Sequence, residues 1–440
     1  MESSGGGLGL SFRNVLRVPF ACSLLIASGL VACSTSSDAP GGAGTAGTGG
    51  DGSGGASAGS TGGDGISGGQ TNEAGASGAV EPGAFCSRGK PVLGATVPAG
   101  FCVRLFATVP EARTMVFAPN GDLFVASPST STPGGAAGGV GQILLITDDN
   151  HDGTGEVHVF AKNLADVHGI AVGDGYLYFT AGTTVFRTPY SAGQREEAGP
   201  REDMGMPMAF GHGRWTHGLA RSVGGALLAS SGEYSSCNVD PSGGILQVTK
   251  GGAASVAVGF RNPMYLRCHY KDEICAANEL GEDQETGARE KFLVIKPDTN
   301  YGYPCCFGSK QPRSSGTDAM CAPIAPEEAS YTLSNTPFGL DWEHDQWPAP
   351  YTGGVFVALH GSAYSSPAWA GTKIVFAPAD PTTHLPQKDA WQEFVGGFGP
   401  GGGALDRPAD LSFAPDGRMF FTDDMTGHVY WVAPETLLSP

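Results

Sequence analysis

Beyond residue 100, apolar positions fall in short alternating runs, and the runs come in pairs. One pair reads Met115-Val116-Phe117-Ala118-Pro119-Asn120-Gly121-Asp122-Leu123-Phe124-Val125-Ala126. Two or three alternating apolar positions lead into a glycine-containing turn, and an apolar strand ending in a small residue follows. The pattern returns from Leu411 through Asp416-Gly417 to Thr422, and between these copies at Ile170–Phe179 and Leu219–Leu228. Weaker copies lie at Asn262–Ala277 and Phe338–Ala358. Period-two runs around an Asn-Gly or Asp-Gly type turn predict β-hairpins. Six hairpins, about 45 to 75 residues apart, predict an all-β six-bladed β-propeller. One hairpin cannot bury its apolar face alone, whereas a closed ring of sheets can. Phe101-Cys102-Val103-Arg104-Leu105-Phe106 precedes the first repeat and is expected to complete the blade that Val429-Tyr430-Trp431-Val432 begins.

The pattern changes at the N-terminus. Arg13 and Arg17 precede an apolar stretch from Phe20 to Val31, too short for a comfortable membrane span. It ends in Leu30-Val31-Ala32-Cys33, which resembles a bacterial lipobox. Residues 1–32 are therefore expected to be a lipoprotein signal peptide, with Cys33 the lipidation site. Residues 34–84 hold no aromatic residue, Lys or Arg. Such a segment buries too little apolar surface to offset its chain entropy. Residues 33–84 thus read as a lipidated cysteine and a disordered Gly-rich linker, with a reach on the order of 40 Å. Residues 85–440 are the propeller.

Of 440 residues, 70 are glycine, and location divides them between the linker and the hairpin turns. A net charge of −18 argues against nucleic-acid binding, which needs a basic face. Charged residues are only 15%, which disfavours a coiled coil. Eight of the ten cysteines lie in the propeller, an even count that in an exported domain argues for disulfides. Cys268 and Cys275 bracket a hairpin and Cys86 and Cys102 a short loop. The adjacent Cys305 and Cys306 are expected to take separate partners, with Cys237 and Cys321 the candidates. Asp148-Asp149-Asn150-His151-Asp152-Gly153 alternates like a calcium loop, but Val159 stands where the bidentate Glu belongs, so a solvated turn is expected.

Polar residues matter most where the blade loops converge on the central channel. Just before the inner strands stand Asp166-Val167-His168-Gly169, His212-Gly213-Arg214-Trp215-Thr216-His217-Gly218, Arg261-Asn262-Pro263 and Asp406-Arg407-Pro408. His360-Gly361-Ser362 follows the fifth hairpin. In order, Arg261-Asn262-Pro263, Asn278-Glu279, Asn300-Tyr301-Gly302-Tyr303-Pro304, Thr336-Pro337-Phe338-Gly339-Leu340, His360-Gly361-Ser362 and Arg407-Pro408 with Asp423-Asp424 resemble the glucose/sorbosone dehydrogenases. These are soluble, pyrroloquinoline quinone (PQQ)-dependent aldose dehydrogenases with a six-bladed propeller.

The resemblance implies an oxidoreductase that oxidises a sugar or related aldehyde, with PQQ as hydride acceptor, Ca2+ as an assisting ion and an external electron acceptor. Such chemistry needs a base at the substrate hydroxyl and cations for the quinone and its carboxylates. The resemblance implies His217 as base, with His212 second, and Arg261 polarising the quinone. It implies His168, Arg214, Asn262, His360 and Arg407 as cofactor contacts and Gly281 and Glu282 as calcium ligands. The glutamine that the family carries after Glu279 is Leu280 here. The expected setting is exported, lipid-anchored, on the periplasmic face of the outer membrane or the cell surface, with the membrane met only through the anchor. Two other functions fit the same fold: a catalytically silent propeller that binds a glycan or protein, and a calcium-dependent lactonase-like hydrolase using Asp341, Asp410 and Glu279.

Overall fold

The computed structural model describes residues 84–128, 140–207, 217–232, 237, 243–281, 288–308, 310–313, 315–362, 371–399 and 404–438. The signal segment, Cys33, residues 34–83, His212, Arg214 and Glu282 lie outside the described residues. Six sheets built on four antiparallel strands make the body, two of them with a fifth strand at the edge, and each predicted hairpin forms the two inner strands of one blade. Blade 1 begins with Met115–Phe117 and Leu123–Ser127, and blade 2 with Ile170–Gly173 and Tyr176–Ala181. Blade 3 begins with Leu219–Arg221 and Leu227–Ser231, and blade 4 with Pro263–Cys268 and Cys275–Glu279. Blade 5 begins with Pro337–Trp342 and Val355–Leu359, and blade 6 with Pro408–Phe413 and Met419–Asp423. Gly121 and Gly417 turn the first and last hairpins with φ of 91° and 87°, where a Cβ is strained.

The ring closes as expected. Phe101–Thr108 pairs antiparallel with His428–Pro434, so strands from the two ends of the domain share blade 6. This leaves neither strand an open edge at the junction. Apolar cores lie between neighbouring blades. The largest aromatic one packs Phe101 and Trp347 against Phe356, Phe376, Phe394 and Phe413. Each such side chain contributes about 1.5–3 kcal/mol on burial.

Disulfides join Cys86–Cys102, Cys237–Cys305, Cys268–Cys275 and Cys306–Cys321, which resolves the adjacent pair onto separate partners. Residues 148–153 form a turn. Arg418 faces Asp148 there, its Nη1 3.3 Å from Asp148 Oδ2. Among the described residues, no helix is long and apolar enough to cross a membrane.

Candidate functional site

Each inner strand enters the ring at the same phase. The first regular inner pairs are Met115↔Val125, Ile170↔Phe179, Leu219↔Ala229, Leu266↔Ala277, Leu340↔Val357 and Leu411↔Phe421. Two positions earlier stand Arg113, His168, His217, Met264, Phe338 and Ala409. Repetition of the blade therefore gathers these side chains at one end of the channel.

Buried polar side chains tie the blades together at this level. Thr180 Oγ1 accepts from Gly169 N–H (2.8 Å) and donates to the His217 carbonyl (3.3 Å) in the next blade. Ser230 does the same between Gly218 N–H (2.8 Å) and the Met264 carbonyl (3.4 Å). Thr422 joins Asp410 N–H (3.0 Å) to the Arg113 carbonyl (2.7 Å). Thr114 donates to the His168 carbonyl, and Asn278 Nδ2 to that of Phe338 at 3.2 Å. A Cβ on Gly169 would stand 2.4 Å from the His217 carbonyl oxygen, so only glycine allows these strands so close.

Prolines set the later entries. In blades 4 and 6, Pro263 and Pro408 pair with Glu279 and Asp423. The Glu279 carboxylate accepts the N–H groups of Arg261 and Asn262. Asp423 Oδ2 likewise accepts those of Asp406 (2.6 Å) and Arg407 (3.1 Å). One device thus positions both Asn262 and Arg407.

At the centre of the cluster is Asp424. Its Oδ2 meets Arg113 Nη2 at 3.0 Å and His360 Nε2 at 3.1 Å, and its Oδ1 meets Arg407 Nη2 at 3.4 Å. Burial opposes its charge, yet Arg113, His360 and Arg407 together hold its carboxyl well below the usual range. His360 stacks on Phe338 at 4.1 Å and 9° between planes, and Arg113 lies 5.7 Å from the same ring. Burial, followed by the charges of Arg113 and His217, pulls His168 far below the ordinary histidine value. Burial also lowers His217 and His360; Arg113 stands beside His168 and His360, and Arg407 beside His360.

His217 Nδ1 lies 3.1 Å from the Ser230 carbonyl. A carbonyl can only accept, so Nδ1 carries the proton and Nε2 the lone pair.

The structure brings His168, His217, His360 and Arg407 into this buried level, with Asn262 at the neighbouring entry. Asn262 Oδ1 is buried and accepts no hydrogen bond from the described residues. Arg261 turns elsewhere for one donor, since its Nη1 donates to the Gly281 carbonyl. That carbonyl therefore already faces a cation. Glu282, the other expected calcium ligand, lies outside the described residues. The hydrolase candidates do not converge either. Asp341 and Asp410 share Arg267 at 4.0 and 3.3 Å, whereas Glu279 caps the Arg261–Asn262 backbone. Sequence reading passed over Arg113 and Tyr265, which lie together. The signal was present: Arg113-Thr114 stands at the phase of His168-Gly169 and His217-Gly218. A separate cavity of about 540 Å3 opens at the opposite end, among Val116, Ala171, Ala220, Arg267, Asp341 and Ser412.

No protein-family model matches the chain, and no curated protein does. Solved structures do. A Trichoderma reesei carbohydrate-active enzyme of family AA12 is 18% identical with a TM-score of 0.60, covering 79% of this chain and 98% of its own. The PQQ domain of Coprinopsis cinerea pyranose dehydrogenase, in its holo form, is 17% identical with a TM-score of 0.60, covering 77% and 96%. The PQQ-bound aldose sugar dehydrogenase of Streptomyces coelicolor is 19% identical with a TM-score of 0.52, covering 77% and 99%. The chain has the six-bladed propeller fold of these sugar dehydrogenase structures.

Proposed function

We propose that the protein is an exported oxidoreductase that oxidises a sugar or a related aldehyde or alcohol, with PQQ as the hydride acceptor. The observation that carries this is the tautomer of His217. Burial at the neck of the propeller keeps the ring uncharged and leaves the lone pair on Nε2. That is the state a general base needs to take a hydroxyl proton near neutral pH. The donor set suits an anionic, planar cofactor. Arg113 and Arg407 bring two guanidiniums together at Asp424. Guanidinium forks match carboxylates.

Bound PQQ would supply the two-electron acceptor. Arg113 and Arg407 would hold its carboxylates, with His168 and His360 beside them. His360 donates Nε2–H to Asp424, which fixes its ring against Phe338. His217 accepts the substrate's hydroxyl proton at Nε2. The reading keeps Ca2+ as an assisting ion, with Gly281 and Glu282 as its proposed ligands. The reading retains Cys33 as a lipid anchor, residues 34–84 as its tether and an external electron acceptor.

Another observation favours the silent propeller. Arg113 and Arg407 are already ion-paired to Asp424, so the cluster is charge-balanced in part without a ligand. One assay separates the two readings. Protein supplied with PQQ and a dye acceptor oxidises a member of a sugar and aldehyde panel, and His217→Gln lowers turnover at least 100-fold. No turnover across the panel overturns the dehydrogenase.

A further inference from the structure

Away from the neck, two blades place three ligand-type side chains together. His269 and Asp272 stand in the hairpin loop of blade 4, and His384 stands in the turn that joins Lys373–Ala377 to Gln392–Val395 in blade 5. His269 Nδ1 lies 3.2 Å from Asp272 Oδ2, and His384 Nε2 lies 2.9 Å from the same oxygen. The two imidazoles stack with ring centres 4.1 Å apart and planes 23° apart. Two nitrogens from separate blades thus converge on one carboxylate oxygen.

We infer that His269, Asp272 and His384 form a binding site for a divalent transition metal of the zinc class. Imidazole nitrogen and carboxylate oxygen are its usual donors, bound at about 2.0–2.2 Å. Ligand atoms at that radius stand about 3.3–3.6 Å apart around a tetrahedral ion. Two of the three edges, 3.2 and 2.9 Å, fall just short of this length, and all three ligand atoms lie within 4.8 Å of one another. Turning the stacked imidazoles until both ring lone pairs face one ion, with Asp272, the most exposed of the three, moving outward, closes the set. Three protein ligands leave a fourth position to water.

The surroundings hold the ligands in place. The Cys268–Cys275 disulfide closes the loop that carries His269 and Asp272, and His269 N–H donates to the Ile274 carbonyl at 2.7 Å. His384 sits at φ 55°, an unusual conformation for a non-glycine residue. Its N–H donates to the Asp380 carbonyl (2.8 Å), and its own carbonyl accepts from Trp342 Nε1 (2.8 Å). The same Trp342 meets His269 edge-on at 5.5 Å and 88°. One buried indole therefore contacts both histidines, through the backbone of His384 and the ring of His269. A bound ion staples blade 4 to blade 5 beside the second cavity, whose wall includes Tyr270 and His344.

The test titrates chelator-stripped full chain with Co2+, read by its visible absorption, and with Zn2+, read by calorimetry and thermal melting. One equivalent binds at micromolar concentration or tighter, and the melting temperature rises with Zn2+. His384→Gln and Asp272→Asn, both at partly exposed positions, each weaken binding at least tenfold while the circular dichroism of the fold is kept. No uptake at millimolar metal, or unchanged affinity in both variants, overturns the site. Neither result depends on PQQ, so it is distinguishable from failure of the dehydrogenase reading.

Discussion

His217 is tied to Ser230 twice over: its Nδ1 lies 3.1 Å from the Ser230 carbonyl, and Ser230 Oγ accepts the N–H of the next residue, Gly218. The first contact selects the tautomer and the second fixes the backbone beneath it. His217→Gln should therefore lower kcat by about 10²–10⁴ and leave cofactor binding within a few-fold, since the loss is of a proton acceptor. Because burial lowers the pKa of His217, the base form persists below the ordinary histidine range. Activity should hold from neutral pH into mildly acid solution and fall only as the pH drops below about 6.5. An acid limb centred above that value counts against His217.

Thr180 bridges Gly169 N–H and the His217 carbonyl. Thr180→Val keeps the shape and strands both groups, so stability should fall by about 1–3 kcal/mol. Gly169→Ala should cost a similar amount or more through overpacking, because its Cβ would lie 2.4 Å from that carbonyl oxygen. Denaturant unfolding measures both.

Asp424→Asn leaves Arg113 and Arg407 buried against a neutral amide. A loss of about 3–5 kcal/mol is expected. The folded carboxyl is held below its unfolded value, so its contribution is present above about pH 4 and disappears only as the pH falls through the folded value. Wild type minus variant stability, followed from pH 7 to pH 3, should shrink only at the acid end.

Glu279 behaves in the opposite sense. Burial pushes its carboxyl up to about 7, against Lys291 and the N–H groups it accepts. The folded state holds that proton more tightly than the unfolded chain, so the stability it confers is present below about pH 4 and is lost as pH rises through 7. Glu279→Gln should therefore gain relative to wild type between pH 5 and pH 8 in thermal melts.

The longest and the shortest disulfide loops should differ in weight. Cys237–Cys305 closes 68 residues and Cys268–Cys275 only 7. Loop-closure entropy gives about 4 kcal/mol for the first and about 2 kcal/mol for the second. Unfolding of Cys305→Ser and Cys268→Ser variants should rank in that order.

The ring was legible because its signal is local and repeated: Asn120-Gly121 and Asp416-Gly417 announce hairpins, and the Phe101–Phe106 run lacks a sequence neighbour to pair with. The site was legible only where the repeat was read at every blade. His168 and His217 lie at one phase, and Arg113 lies at that phase too but belongs to a blade whose entry carries no histidine. The direction of Arg261 was not legible, because the choice between a channel and the Gly281 carbonyl depends on a rotamer set by tertiary contacts. The sharing of Asp424 by Arg113, His360 and Arg407 is a meeting of blades 1, 5 and 6, which no single stretch of sequence contains.

The most direct test of the neck as a cofactor site is a calorimetric titration of the full chain with PQQ, wild type beside Arg407→Gln. The account predicts saturable binding of one equivalent, weakened at least tenfold in the variant while its circular dichroism is unchanged. Heats equal to dilution, or equal affinity in the two proteins, would contradict it.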